Sequence, residues 1–335
     1  MNAFVLTEGG LNIGFGHITR CLSLCQAFEA NGILPEFIVN GDESIDGVFK
    51  DRQHKRLNWL EHEKRVLASI KDADIVIIDS YLADIDFYRE VSGSVRVAVF
   101  IDDNKRVDYP KGVVVNGSIS AERLHYPARE NIAYLLGPKY IPLRKEFWNT
   151  PEKEIRDNVT SIMVTFGGDD MRNLTPKVME LLAKDYPGLS RQIVIGKGFR
   201  NPKQIEAAAD HNTILHHNPD AETMLNIMLS SDVAISACGQ TLYELARVGV
   251  PAIAVAVADN QFNNASGWRQ AGFIEYAGWW EDGMLLDNVR SALRLLEDGD
   301  GRKKMSRNGR TEVDGKGANR VVDYLCNKES VCKIV

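Results

Sequence analysis

Cysteine is scarce in this chain and unpatterned: Cys21, Cys25, Cys238, Cys326 and Cys332 are odd in number and form no Cys-x-x-Cys pair. A disulfide framework or a zinc site needs paired spacing, so neither is expected, and the thiols read as buried or incidental. Long apolar runs are also missing. The longest, around 251–258, falls far short of the ~18 residues that span a bilayer. The start, Met1-Asn2-Ala3-Phe4-Val5-Leu6-Thr7, carries no basic stretch, so no secretory leader is read there, and a cytoplasmic protein without stable membrane insertion is expected. No block of like charges runs five residues or more, and Lys plus Arg total 40 against Asp plus Glu 46, a net charge of -6. The electrostatic footprint of a nucleic-acid-binding protein is therefore absent. Repeats of solenoid period are absent too.

What is present is the balance of a globular chain, 44% hydrophobic and 26% charged over 335 residues, which excludes disordered and fibrous classes. At about 150 residues per domain, this length predicts two domains. Short Val- and Ile-rich runs alternate with helical patterns in both halves, the signature of βαβ units. Strands are expected at 3–7, 34–39, 74–79, 96–101, 113–115 and 133–136, then at 161–166, 192–195, 213–216, 233–236, 252–257 and 273–276. Many are near-continuous apolar runs, as in parallel sheets covered on both faces. Between the two series, Gly137-Pro138-Lys139-Tyr140-Ile141-Pro142-Leu143-Arg144 and the charged stretch 151–158 mark a linker. The expected division is an N-terminal Rossmann-like domain, 1–150, and a C-terminal one, 151–335, with helical segments at 288–297 and 302–327 closing the chain. Two facing doubly wound domains would leave a cleft where ligands meet the carboxyl ends of strands, so chemistry is sought in the loops after strands.

After the first strand comes Glu8-Gly9-Gly10-Leu11-Asn12-Ile13-Gly14-Phe15-Gly16-His17-Ile18-Thr19-Arg20, leading into an amphipathic helix. Gly14 and Gly16 allow a ligand close to the backbone, and the helix N-terminus offers N–H groups to an anion. The dinucleotide fingerprint fails because position 19 is Thr, and a Walker A loop fails because Phe15 follows Gly14. His17 is expected at the helix entrance, where the positive dipole end disfavours imidazolium and leaves a neutral base able to take a proton from water. The segment alone leaves open a histidine that only hydrogen-bonds its own loop.

Val164-Thr165-Phe166-Gly167-Gly168-Asp169-Asp170 opens the second domain in the same way, either as a mirrored ligand loop or as a plain turn. Ser236-Ala237-Cys238-Gly239-Gln240-Thr241-Leu242-Tyr243-Glu244 follows a strand and starts a helix. Its backbone N–H groups and the hydroxyls of Ser236 and Thr241 suit a diphosphate, and Glu244, one turn on, suits a ribose diol. An N-capped helix with a solvent-facing glutamate is the plainer account. Asn260 and Gln261, at the end of a later strand, suit sugar hydroxyls or an N-acetyl group, or else they simply start the next helix. The acidic triplets Asp84-Ile85-Asp86 and Asp298-Gly299-Asp300 are read as helix-end acids and not as metal ligands.

Taken together, these segments resemble the GT-B nucleotide-sugar enzymes, and specifically the UDP-2,4-diacetamido-2,4,6-trideoxy-β-L-altropyranose hydrolases of pseudaminic acid biosynthesis. The likeness covers most of the chain. Its anchors are Ile13-Gly14-Phe15-Gly16-His17-Ile18-Thr19-Arg20-Cys21-Leu22, Asp79-Ser80-Tyr81, Ile101-Asp102-Asp103, Leu136-Gly137-Pro138-Lys139-Tyr140, Leu143-Arg144-Lys145-Glu146-Phe147, Thr165-Phe166-Gly167-Gly168-Asp169 and Asn260-Gln261. The MurG-like N-acetylglucosaminyltransferases are similar in the Gly-Gln-Thr and Glu pattern of the second domain but use a lipid acceptor. Two stretches depart from the family: Thr7-Glu8-Gly9-Gly10 stands where Arg-x-Asp-Gly is usual. Asn104-Lys105-Arg106-Val107-Asp108 stands where a histidine or cysteine followed by aspartate is usual. Both stretches are expected to face the sugar.

The resemblance implies hydrolysis of the anomeric C1–O bond of a UDP-linked amino-sugar, with inversion, release of UDP and free sugar, and no metal or other cofactor. His17 matches the general base for water. Asp79 and Tyr81 match the sugar side, and Ser236, Gly239, Gln240, Thr241 and Glu244 match the UDP side. Gly14, Phe15, Gly16, Arg20, Gly167, Gly168, Asn260 and Gln261 complete the expected substrate-binding set. The backbone of His216-His217-Asn218 is a candidate for the uracil, or these are surface residues. The partner implied is the UDP-sugar itself. Two other readings stay open: an inverting UDP-sugar glycosyltransferase of the same fold, in which an acceptor hydroxyl replaces water, and a non-catalytic nucleotide-sugar-binding protein, which would not need a base at residue 17.

Overall fold

Apolar runs rich in β-branched residues become the inner strands of two parallel sheets, because such residues pack well on a pleated surface covered from both sides. The computed structural model describes residues 1–11, 13–49 and 52–327. Cys332 lies outside the described residues. The chain forms two units: Met1–Lys145 together with the segment from Gly315, and Glu146–Asp314.

In the first unit, β1 (Ala3–Gly9), α1 (Gly16–Ala30), β2 (Glu36–Gly41), α2 (Asp46–Phe49) and β3 (His54–Arg56) lead to α3 (Glu63–Ile70) and β4 (Ile75–Asp79). Then come α4 (Ile85–Ser94), β5 (Val97–Ile101), β6 (Gly112–Asn116) and β7 (Ile132–Leu136). The strands lie in the order β3-β2-β1-β4-β5-β6-β7, all parallel. Residues of β1, β4, β5 and β6 are buried throughout. Trp59 is enclosed against Phe87 at 5.2 Å, and its indole N–H donates to the Thr7 carbonyl at 2.9 Å, which satisfies the one polar atom that its burial would otherwise strand.

The second unit runs β8 (Ser161–Thr165), α5 (Leu174–Asp185), β9 (Ser190–Ile195), α6 (Pro202–Ala208), β10 (Thr213–His217), α7 (Ala221–Ser230) and β11 (Val233–Ala237). It continues with α8 (Thr241–Val248), β12 (Ala252–Ala256), α9 (Phe262–Gln270), β13 (Ile274–Trp279), α10 (Leu285–Leu295) and α11 (Gly299–Glu312). Its strand order is β10-β9-β8-β11-β12-β13, again parallel. In both sheets the order reverses beside the first strand, between β1 and β4 and between β8 and β11. Loops leaving opposite faces part there, and ligands of open α/β sheets bind at that place.

Each expected strand is present within three residues of its expected ends. The strand that sequence does not show is β3, whose three residues His-Lys-Arg form a polar edge with no apolar run to reveal it. The chain also crosses between units twice, after Lys145 and again after Asp314. The expected single boundary near 150 covers only the first crossing, because α12 (Gly317–Cys326) packs on α1 of the first unit. A Cβ on Gly317 would stand 2.1 Å from the Ile141 carbonyl oxygen, so glycine is what lets this helix close on the backbone beneath it.

Candidate active site

The loop after β1 is closed on itself by Gly10 N–H to Gly14 O at 3.0 Å and Gly14 N–H to Gly10 O at 2.8 Å. Gly14 has φ 87° and Gly10 has φ 141°, a conformation that side chains resist, and a Cβ on Gly10 would meet Asp42 Oδ2 at 2.5 Å. Phe15, half-buried, occupies the N-cap of α1 without a side-chain cap. Gly16 is exposed, with open space where its Cβ would be. A helix start uncapped by side chains and accessible along its backbone has the features expected of an anion site.

His17 is the second residue of α1. Its Nδ1 lies 2.7 Å from Oδ1 of Asp79 at the end of β4, and its ring meets Tyr81 edge-on at 4.7 Å. Nε2 has no hydrogen-bond partner among the described residues, so it is the nitrogen left to take a proton. Asp79 has no exposed surface. It also receives Arg20 Nη2 at 2.7 Å and Nε at 2.9 Å, while Arg20 Nη1 donates to Asp103 Oδ1 at 2.6 Å. Asp103 Oδ2 accepts the Tyr81 hydroxyl at 2.7 Å.

These contacts correct three expectations. Burial disfavours the imidazolium, but the Asp79 carboxylate outweighs it by charge and hydrogen bond and raises His17 above its ordinary 6.5. The helix entrance does not decide the protonation of His17. Burial alone would raise Asp79, yet Arg20 and then His17 hold it well below the usual carboxylate range. Asp79 thus orients His17 from behind and does not line the sugar side. Arg20, buried with its guanidinium nitrogens on two carboxylates, is likewise a support and not a ligand-facing cation.

In the two stretches that depart from the pattern of the resembled family, Glu8 and Arg106 are the side chains that turn inward, while Lys105 and Asp108 are exposed. Glu8 is 1% exposed and accepts Ser80 Oγ at 2.6 Å and the Tyr81 N–H at 2.8 Å, so it braces the loop that carries Tyr81. Arg106 donates to the Ala83 carbonyl at 2.6 Å and to the Tyr88 hydroxyl at 2.7 Å, gripping the same loop from its other end. Sequence reasoning passed over Glu8 and Asp103 as working residues. The signal in the sequence was a carboxylate at or just past the carboxyl end of an apolar strand, Glu8 in β1 and Asp103 after β5.

In the second unit, Gly167 has φ 86° and Gly168 is exposed, with its carbonyl accepting the Gly198 N–H at 2.8 Å. The helix that follows differs from α1. Asp170 accepts the N–H groups of Leu174 at 2.9 Å and Thr175 at 2.8 Å, so its own carboxylate already occupies the start of α5. The turn of Gly239 and Gln240 at the start of α8 has no such side-chain cap. It is held by Asn264, which donates to the Cys238 carbonyl at 2.7 Å and accepts the Tyr243 hydroxyl.

Thr241, half-buried, is the first residue of α8, and Glu244 is 6% exposed, not solvent-facing. Ser236 is fully buried and donates to the Ala237 carbonyl at 3.1 Å, so its hydroxyl is not presented to a diphosphate. Asn260 is exposed in a short 3-10 turn, whereas Gln261 Oε1 accepts the Val257 N–H at 3.0 Å and braces that turn. His216 meets Gln192 at 2.7 Å and His217 lies 3.7 Å from Glu206, which leaves only backbone for the uracil reading. Asp84 and Asp298 cap α4 and α11 through backbone N–H groups, the helix-end role read from sequence.

No model of a protein family matches the chain. An uncharacterized protein of Methanocaldococcus jannaschii is 27% identical over 276 residues, covering 76% of this chain and 55% of that protein. The spore coat polysaccharide biosynthesis protein SpsG of Bacillus subtilis is 22% identical, over 97% of this chain and 98% of its own. A Helicobacter pylori protein named pseudaminic acid cytidylyltransferase and UDP-2,4-diacetamido-2,4,6-trideoxy-β-L-altropyranose hydrolase is 24% identical over 81% of this chain and 47% of its own. The chain therefore spans about half the length of two of these curated relatives.

Among solved structures, MurG of Acinetobacter baumannii superposes with a TM-score of 0.65 at 15% identity, over 97% of this chain and 99% of that one. MnaA of S. aureus with UDP superposes with a TM-score of 0.66 at 13% identity, over 100% and 98%. The fold is GT-B, an α/β architecture of two parallel sheets, as expected from the sequence. Among the described residues no helix is long and apolar enough to cross a membrane.

Proposed function

We propose that this chain is a nucleotide-sugar enzyme of surface polysaccharide biosynthesis that hydrolyses a UDP-linked amino-sugar, of the diacetamido-trideoxy kind or a related one. The observation that carries this reading is the His17–Asp79 pair at the start of α1, whose Nε2 has no hydrogen-bond partner among the described residues. A histidine held by Nδ1 on a buried carboxylate is set up to accept a proton at Nε2 and to be stabilised once charged. In the proposed step Nε2 removes a proton from water while the water oxygen attacks the anomeric carbon, and UDP leaves with the C1–O electron pair. Inversion at that carbon follows.

In the second unit the uncapped start of α8, with Gly239, Gln240 and Thr241, meets the charge of the leaving diphosphate, and Glu244 takes the ribose. The scheme assigns no role to a metal. The hydrolase named in the Helicobacter pylori relative and the polysaccharide role named for SpsG support this choice of substrate and pathway.

A second reading is favoured by the fold likeness to MurG: an inverting glycosyltransferase in which Nε2 takes its proton from an acceptor hydroxyl. Phosphorus and proton NMR on a panel of UDP-sugars, without acceptor and with EDTA, separates the two. UDP plus a free reducing sugar supports the metal-independent hydrolase. UDP-sugars that bind and stay intact remove the water-activating role and move the search to an acceptor.

A further inference from the structure

Resting on the reading of His17 as the base, we propose that Arg20 is a positioning residue that sets His17 and Tyr81 relative to each other. One edge of its guanidinium holds both oxygens of Asp79, the carboxylate on Nδ1 of His17. Its remaining nitrogen, Nη1, holds Asp103 at 2.6 Å, and Asp103 holds the Tyr81 hydroxyl at 2.7 Å. The ring closes where His17 meets Tyr81 at 4.7 Å and 86°. A guanidinium is planar with its donors in a rigid fork, so it fixes the separation of the two carboxylates, which a lysine, a single charged point, does not.

The same residue limits how strongly the histidine holds its proton. Asp79 on β4 and Glu8 on β1 favour the imidazolium, whereas burial and the Arg20 charge on α1 oppose it. Tyr81 and Asp103, on the loops after β4 and β5, Cys21 on α1 and Tyr88 on α4 are further ionisable groups around the pair. Without Arg20, two buried carboxylates would hold His17 charged further into the neutral range, where a base has to be free.

The test reads His17 directly, by NMR titration of its ring in the full-length protein without substrate, so it stands whether or not UDP-sugar hydrolysis is the reaction. Arg20→Met raises the His17 midpoint by about one pH unit, and Arg20→Lys, which keeps the charge, leaves it near wild type. In both variants the nuclear Overhauser contact between the His17 and Tyr81 rings is lost. An unmoved midpoint in folded Arg20→Met overturns the charge role. A ring contact preserved in Arg20→Lys overturns the positioning role, and this variant decides alone if Arg20→Met does not fold. Where turnover is measurable, the acid limb of the rate profile moves with the titration.

Discussion

Nδ1 of His17 lies 2.7 Å from Oδ1 of Asp79, and that carboxylate has no exposed surface. The pair is therefore fixed in one sense: the Nδ1–H donates to Asp79, which leaves Nε2 as the nitrogen able to take a proton. Asp79→Asn keeps the shape but removes the charge that selects this tautomer. Turnover should fall by about 10²–10⁴-fold with little change in KM. Leaving Arg20 without its buried partner should also lower stability by about 3–5 kcal/mol, read by denaturant unfolding.

His17→Asn should abolish turnover while leaving UDP affinity within a few fold, since the nucleotide is assigned to the second unit. Single-turnover kinetics and calorimetry with UDP check the two halves separately. Full activity in this variant would remove His17 as the base.

The pH dependence follows from the signs of the two shifts. His17 is raised above 6.5, so kcat/KM should fall about tenfold per pH unit below a midpoint above 6.5, and a midpoint under 6.5 would contradict the pairing. For stability, the raised His17 contributes fully below about 6.5, and the contribution is lost as pH rises through its folded value. The depressed Asp79 contributes above the ordinary carboxylate value near ~3.9, and the contribution is lost as pH falls below it. Unfolding free energies measured across this range in wild type and His17→Asn isolate the first contribution.

Glu244, 6% exposed in the first turn of α8, is assigned to the ribose. Glu244→Ala should weaken UDP binding by about tenfold or more, the size of a lost charged hydrogen bond. Unchanged affinity by calorimetry would remove the assignment.

Gly317→Ala should destabilise the first unit by about 1–3 kcal/mol, because a methyl group 2.1 Å from the Ile141 carbonyl oxygen forces α12 outward. A thermal midpoint equal to wild type would show that α12 gives way without loss.

Strand positions were open to inspection because burial on both faces writes itself as consecutive Val and Ile, as in Ile75–Asp79 and Gly112–Asn116. β3 was hidden because a three-residue polar edge writes nothing, and the return of α12 was hidden because one amphipathic helix fits either unit's core. At the site, His17 and the glycines of its loop stood out through local backbone chemistry. The network behind it did not: Asp79 was read only as a sugar-side residue, and Asp79, Asp103 and Glu8, on separate strands or just beyond them, are joined through His17, Arg20 and Tyr81 only once the sheet has formed. A sequence shows which side chains carry charge. Which charges face each other, and so whether His17 is governed by its helix or by Asp79, depends on distances of a few ångströms between strands, and these exist only after the sheet has formed.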